Sequence, residues 1–293
     1  MIINTENSIH NFNERTGAST IVANIIKYFA LILGAAAAIV PALVVLLASL
    51  KTKEAFRDTE VLDIPGLSGL TLNNYYTAFV DGKMLRAFGN TLIILVASLL
   101  VAIILGSMVA YVLSRFHFKG KKLIIILFLF ATFIPGVTTQ VATFRIISAL
   151  GVFNTRWSAI LLYMGTDIVS VYVFLQALKG VPKSLDEAAI VEGASYFRIY
   201  TSVILPMLRP AIATVVIIKG VAIYNDFYIP FLYMPKSELS VVSTVLFKFM
   251  GPYGGRWELV CACVIITIIP TILVFIALQR QIYNGFAAGS VKM

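Results

Sequence analysis

The sequence predicts an all-α integral membrane protein of six transmembrane helices, and three observations carry that expectation. Of the 293 residues, 59% are hydrophobic and only 13% charged, against about 25% charged in ordinary soluble domains. So much apolar surface does not fit inside one water-soluble core. The apolar residues also gather into long uncharged runs, each near the length at which a helix rising ~1.5 Å per residue crosses ~30 Å of hydrocarbon.

Residues 1–27 form an expected loose tail, polar through Asn4, Glu6, Asn7, Asn11, Asn13, Glu14 and Arg15. Tyr28–Leu50 is a charge-free run of 23 residues. It starts too far from Met1, and is too long, for a signal-peptide core, so it reads as a retained first span. The stretch up to Arg86 is polar, with Pro65, Gly66, Gly69, Asn73 and Asn74, and reads as an external loop. The second run, 87–113, leads into the basic segment Arg115-Phe116-His117-Phe118-Lys119-Gly120-Lys121-Lys122. The third, 123–144, carries Pro135 and Gly136 at its middle, where a gating kink and a fixed packing bend are both open readings. The fourth, 158–178, is interrupted only by Asp167. After an amphipathic segment at 179–205 comes the fifth run, 207–233, which contains Lys219 and Asp226. The sixth is 259–278, so the membrane domain spans 28–279 and 280–293 is a short tail.

Total Lys and Arg do not orient the chain, but the dense cluster Arg115, Lys119, Lys121 and Lys122 lies in a short connection, where charge has most orienting weight. That places both termini in the cytoplasm. The net charge of +9 shows no Lys/Arg-rich tract or aromatic-basic repeat of a nucleic-acid binder, and is read as loop charge facing anionic lipid or a partner. Cys261 and Cys263, two apart on one helix, point roughly 200° apart, which suits packing residues better than a bridge or a ligand pair.

The most informative stretch is Val181-Pro182-Lys183-Ser184-Leu185-Asp186-Glu187-Ala188-Ala189-Ile190-Val191-Glu192-Gly193-Ala194-Ser195, continuing Tyr196-Phe197-Arg198-Ile199-Tyr200-Thr201-Ser202-Val203-Ile204-Leu205-Pro206. Ser184 is placed to cap a helix whose first turn holds Asp186 and Glu187, favourable at the positive end of the helix dipole. Ala188 and Ala189 leave a flat face, Gly193 permits a sharp bend, and Tyr196–Ser202 reads as a second short helix before Pro206 and Pro210 reset the chain. An amphipathic loop packing on its own bundle is the plainer alternative.

Glu-Ala-Ala, three residues, Gly193, nine residues, then Val203-Ile204-Leu205-Pro206 resembles the EAA loop of bacterial ATP-binding-cassette (ABC) importer permeases. The resemblance implies a cytoplasmic coupling helix that docks on a separate ATPase. Glu187, Ala188, Ala189, Glu192, Gly193, Leu205 and Pro206 would be its coupling residues and Glu187 its polar anchor. Glu192 stands where relatives often have Asp. Phe88-Gly89-Asn90-Thr91, Ala110-Tyr111-Val112-Leu113-Ser114-Arg115-Phe116, Leu150-Gly151-Val152-Phe153-Asn154-Thr155 and Tyr224-Asn225-Asp226-Phe227 resemble the carbohydrate-importer branch of the maltose type, and the short N-terminus with one extra leading span resembles its second, G-like permease. This second resemblance implies a heterodimer with a second permease subunit, two ATPase subunits that carry the ATP and magnesium, an extracytoplasmic solute-binding protein, and a location in the bacterial cytoplasmic membrane. The cargo it implies is a sugar, an oligosaccharide in particular.

Ionisable groups at membrane depth usually face an interior or a water path. Asp167, Lys219 and Asp226 are therefore pathway candidates, with Lys219 and Asp226 about two helical turns apart and so on one face; pairing with a partner subunit is an equal reading. Tyr224, Asn225 and Tyr228 are of types that hold sugar hydroxyls and rings, although aromatic residues near a span end more often form an interfacial belt. Arg145 reads as a snorkelling residue. No G-x-x-x-x-G-K-[ST] loop is present, which argues against ATP hydrolysis by this chain. Neither a serine-nucleophile motif nor a histidine cluster for an intramembrane metal occurs. The competing function is an ion-coupled secondary transporter using Asp167, Lys219 and Asp226 as a relay.

Overall fold

The computed structural model describes residues 5–60, 62–251 and 254–290, and is helical through most of that length. The extreme ends of the two expected tails, 1–4 and 291–293, lie outside the described residues. α1 is a single helix, Thr5–Leu50, so the expected loose tail continues the first span as helix through residues 5–27. From residue 20 to 43 it is exposed throughout, as befits a helix solvated by lipid rather than by its own bundle. α2 (Lys53–Asp58) follows, capped by Thr52, whose Oγ1 accepts from the Ala55 amide at 3.2 Å. Lys51 is buried between these helices and donates through Nζ to Thr59 Oγ1 and the Glu60 carbonyl. α3 (Asn73–Asp81) is tied back by Asn74 Nδ2, which donates to the carbonyls of Ser49 and Lys51.

α4 (Met84–Arg115) is the central pillar. Its residues enter three successive apolar clusters: Met84 and Ala87 at one end, Ile94 and Leu99 in the middle, and Ala110, Tyr111 and Leu113 at the other. Ser98, Ala102, Gly106 and Ala110 recur every four residues and are all buried, giving a small-residue seam of the kind that lets membrane helices approach closely. A Cβ at Gly106 would stand 3.0 Å from Thr166 Oγ1 and 3.4 Å from the Phe174 ring.

The next three runs bend. α5 (Lys121–Phe133) and α6 (Gly136–Ala149) meet at 101°, because Pro135 has no N–H to continue the ladder and holds Ile134 extended. α7 (Arg156–Tyr163) and α8 (Ile168–Lys179) meet at 46°, with Asp167 at the break. After α9 (Ser184–Val191), α10 (Tyr196–Ile199), a π-turn at Tyr200–Ile204 and α11 (Leu205–Met207), the chain turns by 74° into α12 (Arg209–Asn225). The short α13 (Tyr228–Tyr233) and α14 (Val242–Val245) come next. A two-residue pair, β1 (Met250–Gly251) with β2 (Gly254–Gly255), precedes α15 (Trp257–Ser290), which packs on α1 and α3. Thr20–Leu50, Met84–Arg115 and Trp257–Ala277 are long and apolar enough to cross a membrane, and the count reaches six when each bent pair is taken as one span.

Residues of the carbohydrate-type motifs take on structural work at the end of α4 away from Arg115. Asn90 is buried, donates through Nδ2 to the carbonyls of Glu238 and Ser240 at 2.9 Å each, and accepts from Arg156 Nε at 2.9 Å. Thr91 Oγ1 accepts from the Val242 amide. Asn154 adopts φ +60° and accepts from the Lys236 amide. Together they pin the 236–242 segment across the ends of α4 and α7.

Candidate functional site

α9 and the arm that follows it form a rigid protrusion. Gly193 stands at φ +80°, its amide donates to the Ile190 carbonyl, and the Ala194 amide reaches the Ala189 carbonyl, both at 2.9 Å. These two bonds are the Schellman closure, which satisfies the carbonyls at a helix end when the next residue is left-handed. Ser195 then caps α10 by accepting from the Arg198 amide. Pro206 cannot donate to the helix ladder, and the wider π-turn ahead of it accommodates the loss, with the Leu205 amide bonded to the Tyr200 carbonyl. Ser184 does not cap α9. Lys183 holds the cap position with no side-chain bond, and Ser184 is already the first helical residue, since the Lys183 carbonyl accepts from Glu187 one turn on.

The helix period sorts α9 into two faces. Glu187, Ala188, Val191 and Glu192 are exposed, Ala189 is half-buried and Asp186 is buried. Beyond the bend Tyr196 and Phe197 are exposed, and Val191, at 88%, is almost fully so. Large apolar side chains presented together on a protruding element mark an interaction surface. Leu205 is half-buried and Pro206 exposed.

The inner face is anchored on α4. Arg115 Nε lies 3.0 Å from Asp186 Oδ2, with side-chain exposures of 8% and 12%; the N–H points off the line between them, so the contact is an ion pair rather than an aligned hydrogen bond. Tyr111 Oη donates to Asp186 Oδ1 at 3.1 Å, and Arg115 Nη2 donates to the Val181 carbonyl at 3.0 Å. The Ser107 and Tyr200 hydroxyls lie 2.7 Å apart. Tyr111 also packs on Phe116 and Tyr200, and Phe116 on Tyr196. By sequence alone Arg115 reads as an orienting loop charge and Asp186 as a dipole residue, and neither reading reaches Tyr111. The one signal available is the four-residue spacing of Tyr111 and Arg115, which puts them on one helix face.

The pathway candidates do not form one stripe. Asp226 is the extended C-cap of α12 with φ −68°, so it still shares a face with Lys219, both reaching the α7–α8 break; but the two do not line an open stripe. Lys219 Nζ instead donates to Asp167 Oδ2 at 3.0 Å and to the Gly165 carbonyl at 2.6 Å. Asp167 caps α8, accepting from the Ser170 amide at 2.8 Å and the Ser170 hydroxyl at 2.9 Å. Asp226 accepts from Tyr163 Oη at 2.9 Å and from the amides of Tyr228 and Ile229, which starts α13. Tyr224 Oη donates to the Thr267 carbonyl, and Tyr228 Oη donates to Gln140 Oε1. Asn225 is exposed.

An all-α bundle of bent spans carrying this protrusion defines an ABC importer permease. Residues 102–286 match the family model described as binding-protein-dependent transport system inner membrane component, and the chain belongs to that family. It is therefore a multi-pass protein of the cytoplasmic membrane and the transport component of such a system, not a catalytic one. It is 36% identical over 256 residues to the probable starch degradation products transport system permease protein AmyC of Thermoanaerobacterium thermosulfurigenes, covering 86% of this chain and 91% of that protein. The melibiose/raffinose/stachyose import permease protein MelC of Bacillus subtilis is 29% identical over 88% of this chain and 93% of its own length. The trehalose/maltose transport system permease protein MalG of Thermococcus litoralis is 30% identical over 76% and 81%. Among solved structures, a chain of a bacterial ABC transporter involved in import of the acidic polysaccharide alginate superposes with a TM-score of 0.78 at 18% identity, covering 89% of this chain and 97% of that one. Family membership decides against the ion-coupled secondary transporter.

Proposed function

We propose that this chain forms half of the pathway by which a sugar, in particular an oligosaccharide, enters the cell, and that its 179–205 segment docks on a separate ABC ATPase. The observation that carries the docking reading is the exposed face of Glu187, Ala188, Val191, Tyr196 and Phe197 on a helix pair locked by Gly193. A protrusion meant only for water would not hold large apolar groups so openly. The sugar reading rests on the cargo named for AmyC, MelC and MalG. In this scheme both termini and the 179–205 segment are cytoplasmic, and a second permease subunit completes the pathway. Two ATPase subunits bear the ATP and magnesium, and a solute-binding protein delivers cargo from outside. Glu187 is the polar anchor, Ala188 and Ala189 permit close approach, and Glu192, Gly193, Leu205 and Pro206 hold the shape. ATP binding shifts the bundle between inward- and outward-open states only through its different affinity for the two.

Of the six pathway candidates, Asn225 and Tyr228 present polar groups at an exposed surface and are proposed to line the sugar's route; Asp167, Lys219, Tyr224 and Asp226 shape its walls. The test is purification of the tagged chain with its neighbours, identification of an ABC subunit by mass spectrometry, and identification of the sugar the binding protein retains. Gly193→Pro is expected to leave the chain in the membrane while abolishing both ATPase capture and uptake. Uptake that continues in ATP-depleted cells and collapses with the proton gradient would overturn the reading.

A further inference from the structure

We propose that Arg115 and Asp186 are positioning residues that make α4, rather than the flanking α8 or α12, the element through which the 179–205 segment moves the bundle. The inference rests on the docking of that segment on an ATPase and adds to it the route inside this chain.

Chain connectivity alone points to α8 and α12, which enter and leave the segment. Apolar side chains of the segment pack against α4, α8 and α12 alike, but its polar contacts point to one of them. Among the described residues, every side-chain hydrogen bond or ion pair between 179–205 and the spans involves α4: Asp186 with Arg115 and Tyr111, Val181 with Arg115, and Tyr200 with Ser107 and the Ile104 carbonyl. Both arms are held, α9 through Asp186 and the following arm through Tyr200. The chain links to the neighbours are not straight helix: a π-turn and a 74° bend lead into α12, and Gly180-Val181-Pro182 separates α8 from α9. α4 is by contrast unbroken over Met84–Arg115. Its far end holds the 238–242 segment through Asn90 and Thr91. A push on the exposed face of α9 is thus delivered to one stiff rod that ends on the opposite loops.

A buried ion pair also suits positioning better than stabilisation. Removing one charge leaves the other unpaired and costly, whereas replacing both by apolar groups of similar volume is tolerated in folding terms. What the apolar pair would lack is the directional hold on α9.

The test uses the full complex, with second permease, ATPase and binding protein, reconstituted in lipid vesicles. Asp186→Asn and the double variant Arg115→Met/Asp186→Leu are compared with wild type for chain recovered in the membrane, ATPase subunit bound, and sugar taken up per ATP hydrolysed. The expected result is unchanged ATPase binding, since the exposed face is intact, with uptake per ATP down at least tenfold in both variants. Phe174→Leu, a change confined to the apolar core, is expected to lower recovery without moving that ratio. If Asp186→Asn fails to accumulate, the double variant carries the test. A double variant that also fails to accumulate, or that transports at the wild-type ratio, overturns the proposal. A wild-type chain that binds no ATPase at all brings down the docking reading instead.

Discussion

Asp167 joins two elements with one carboxylate: it caps α8 through the Ser170 amide and takes the Ser170 hydroxyl, and it meets Lys219 of α12 at 3.0 Å. The cap and the charge separate by mutation. Asp167→Asn keeps an acceptor for the Ser170 amide and loses the ion pair, while Asp167→Ala loses both. Loss of an N-cap costs about 1 kcal/mol, so in detergent the Ala variant is expected to melt roughly 2–4 °C below the Asn variant. Equal midpoints would show that the cap contributes nothing. At this scale the sequence is partly legible. Gly193 is left-handed as its place after a short helix suggests, and Glu187 and Ala188 are exposed. The Arg115–Asp186 pair is hidden because its partners lie in different segments, and no local periodicity reports a contact between a span end and a later loop. The seven-residue spacing brings Lys219 and Asp226 to the same α7–α8 break but does not announce their partners there, Asp167 and Tyr163.

Elements are legible wherever apolar runs are long and unbroken. The second run, expected at 87–113, is α4, and the sixth lies within α15. The third, fourth and fifth runs have the expected composition, but length alone conveys no angle. Pro135 signals a break without its 101° size, which depends on what packs around the two halves. The expected tail is helix in α1, which runs unbroken from Thr5 to Leu50 and even through Pro41. The four-residue seam of α4 is present in the sequence as Ser98, Ala102, Gly106 and Ala110, but reading a long apolar stretch by its length passes over it. It gives a size series at Gly106. Alanine gains up to about 1 kcal/mol of helix propensity over glycine, against a Cβ contact of 3.0 Å to a hydroxyl that moves by side-chain rotation, so Gly106→Ala is expected to be near neutral in thermal melts. Gly106→Leu overpacks the α4–α8 contact at a cost of about 1–3 kcal/mol, and is expected to lower the midpoint and the yield of folded chain. A Leu variant as stable as wild type would mean that the two helices do not meet closely there.

At the scale of the whole molecule, the three apolar clusters strung along α4 place the 179–205 protrusion at one end and the Asn90-pinned segment at the other. A membrane spanned by this bundle separates the two ends, so the protrusion and the Asn90-pinned loops cannot share a side. The cytoplasmic side proposed for that end rests on the basic charge in the connection between α4 and α5, beside the protrusion. The central claim is that the exposed face of α9 is a cytoplasmic docking surface, and Val191, the most exposed of its apolar residues at 88%, reports on it directly. In a Cys261→Ala/Cys263→Ala background, Val191→Cys is labelled with a membrane-impermeant maleimide in right-side-out and inside-out vesicles, with and without the ATPase subunit. The account predicts labelling only in inside-out vesicles, and protection when the ATPase is bound. Labelling from outside, or labelling that the bound ATPase leaves unchanged, would contradict it.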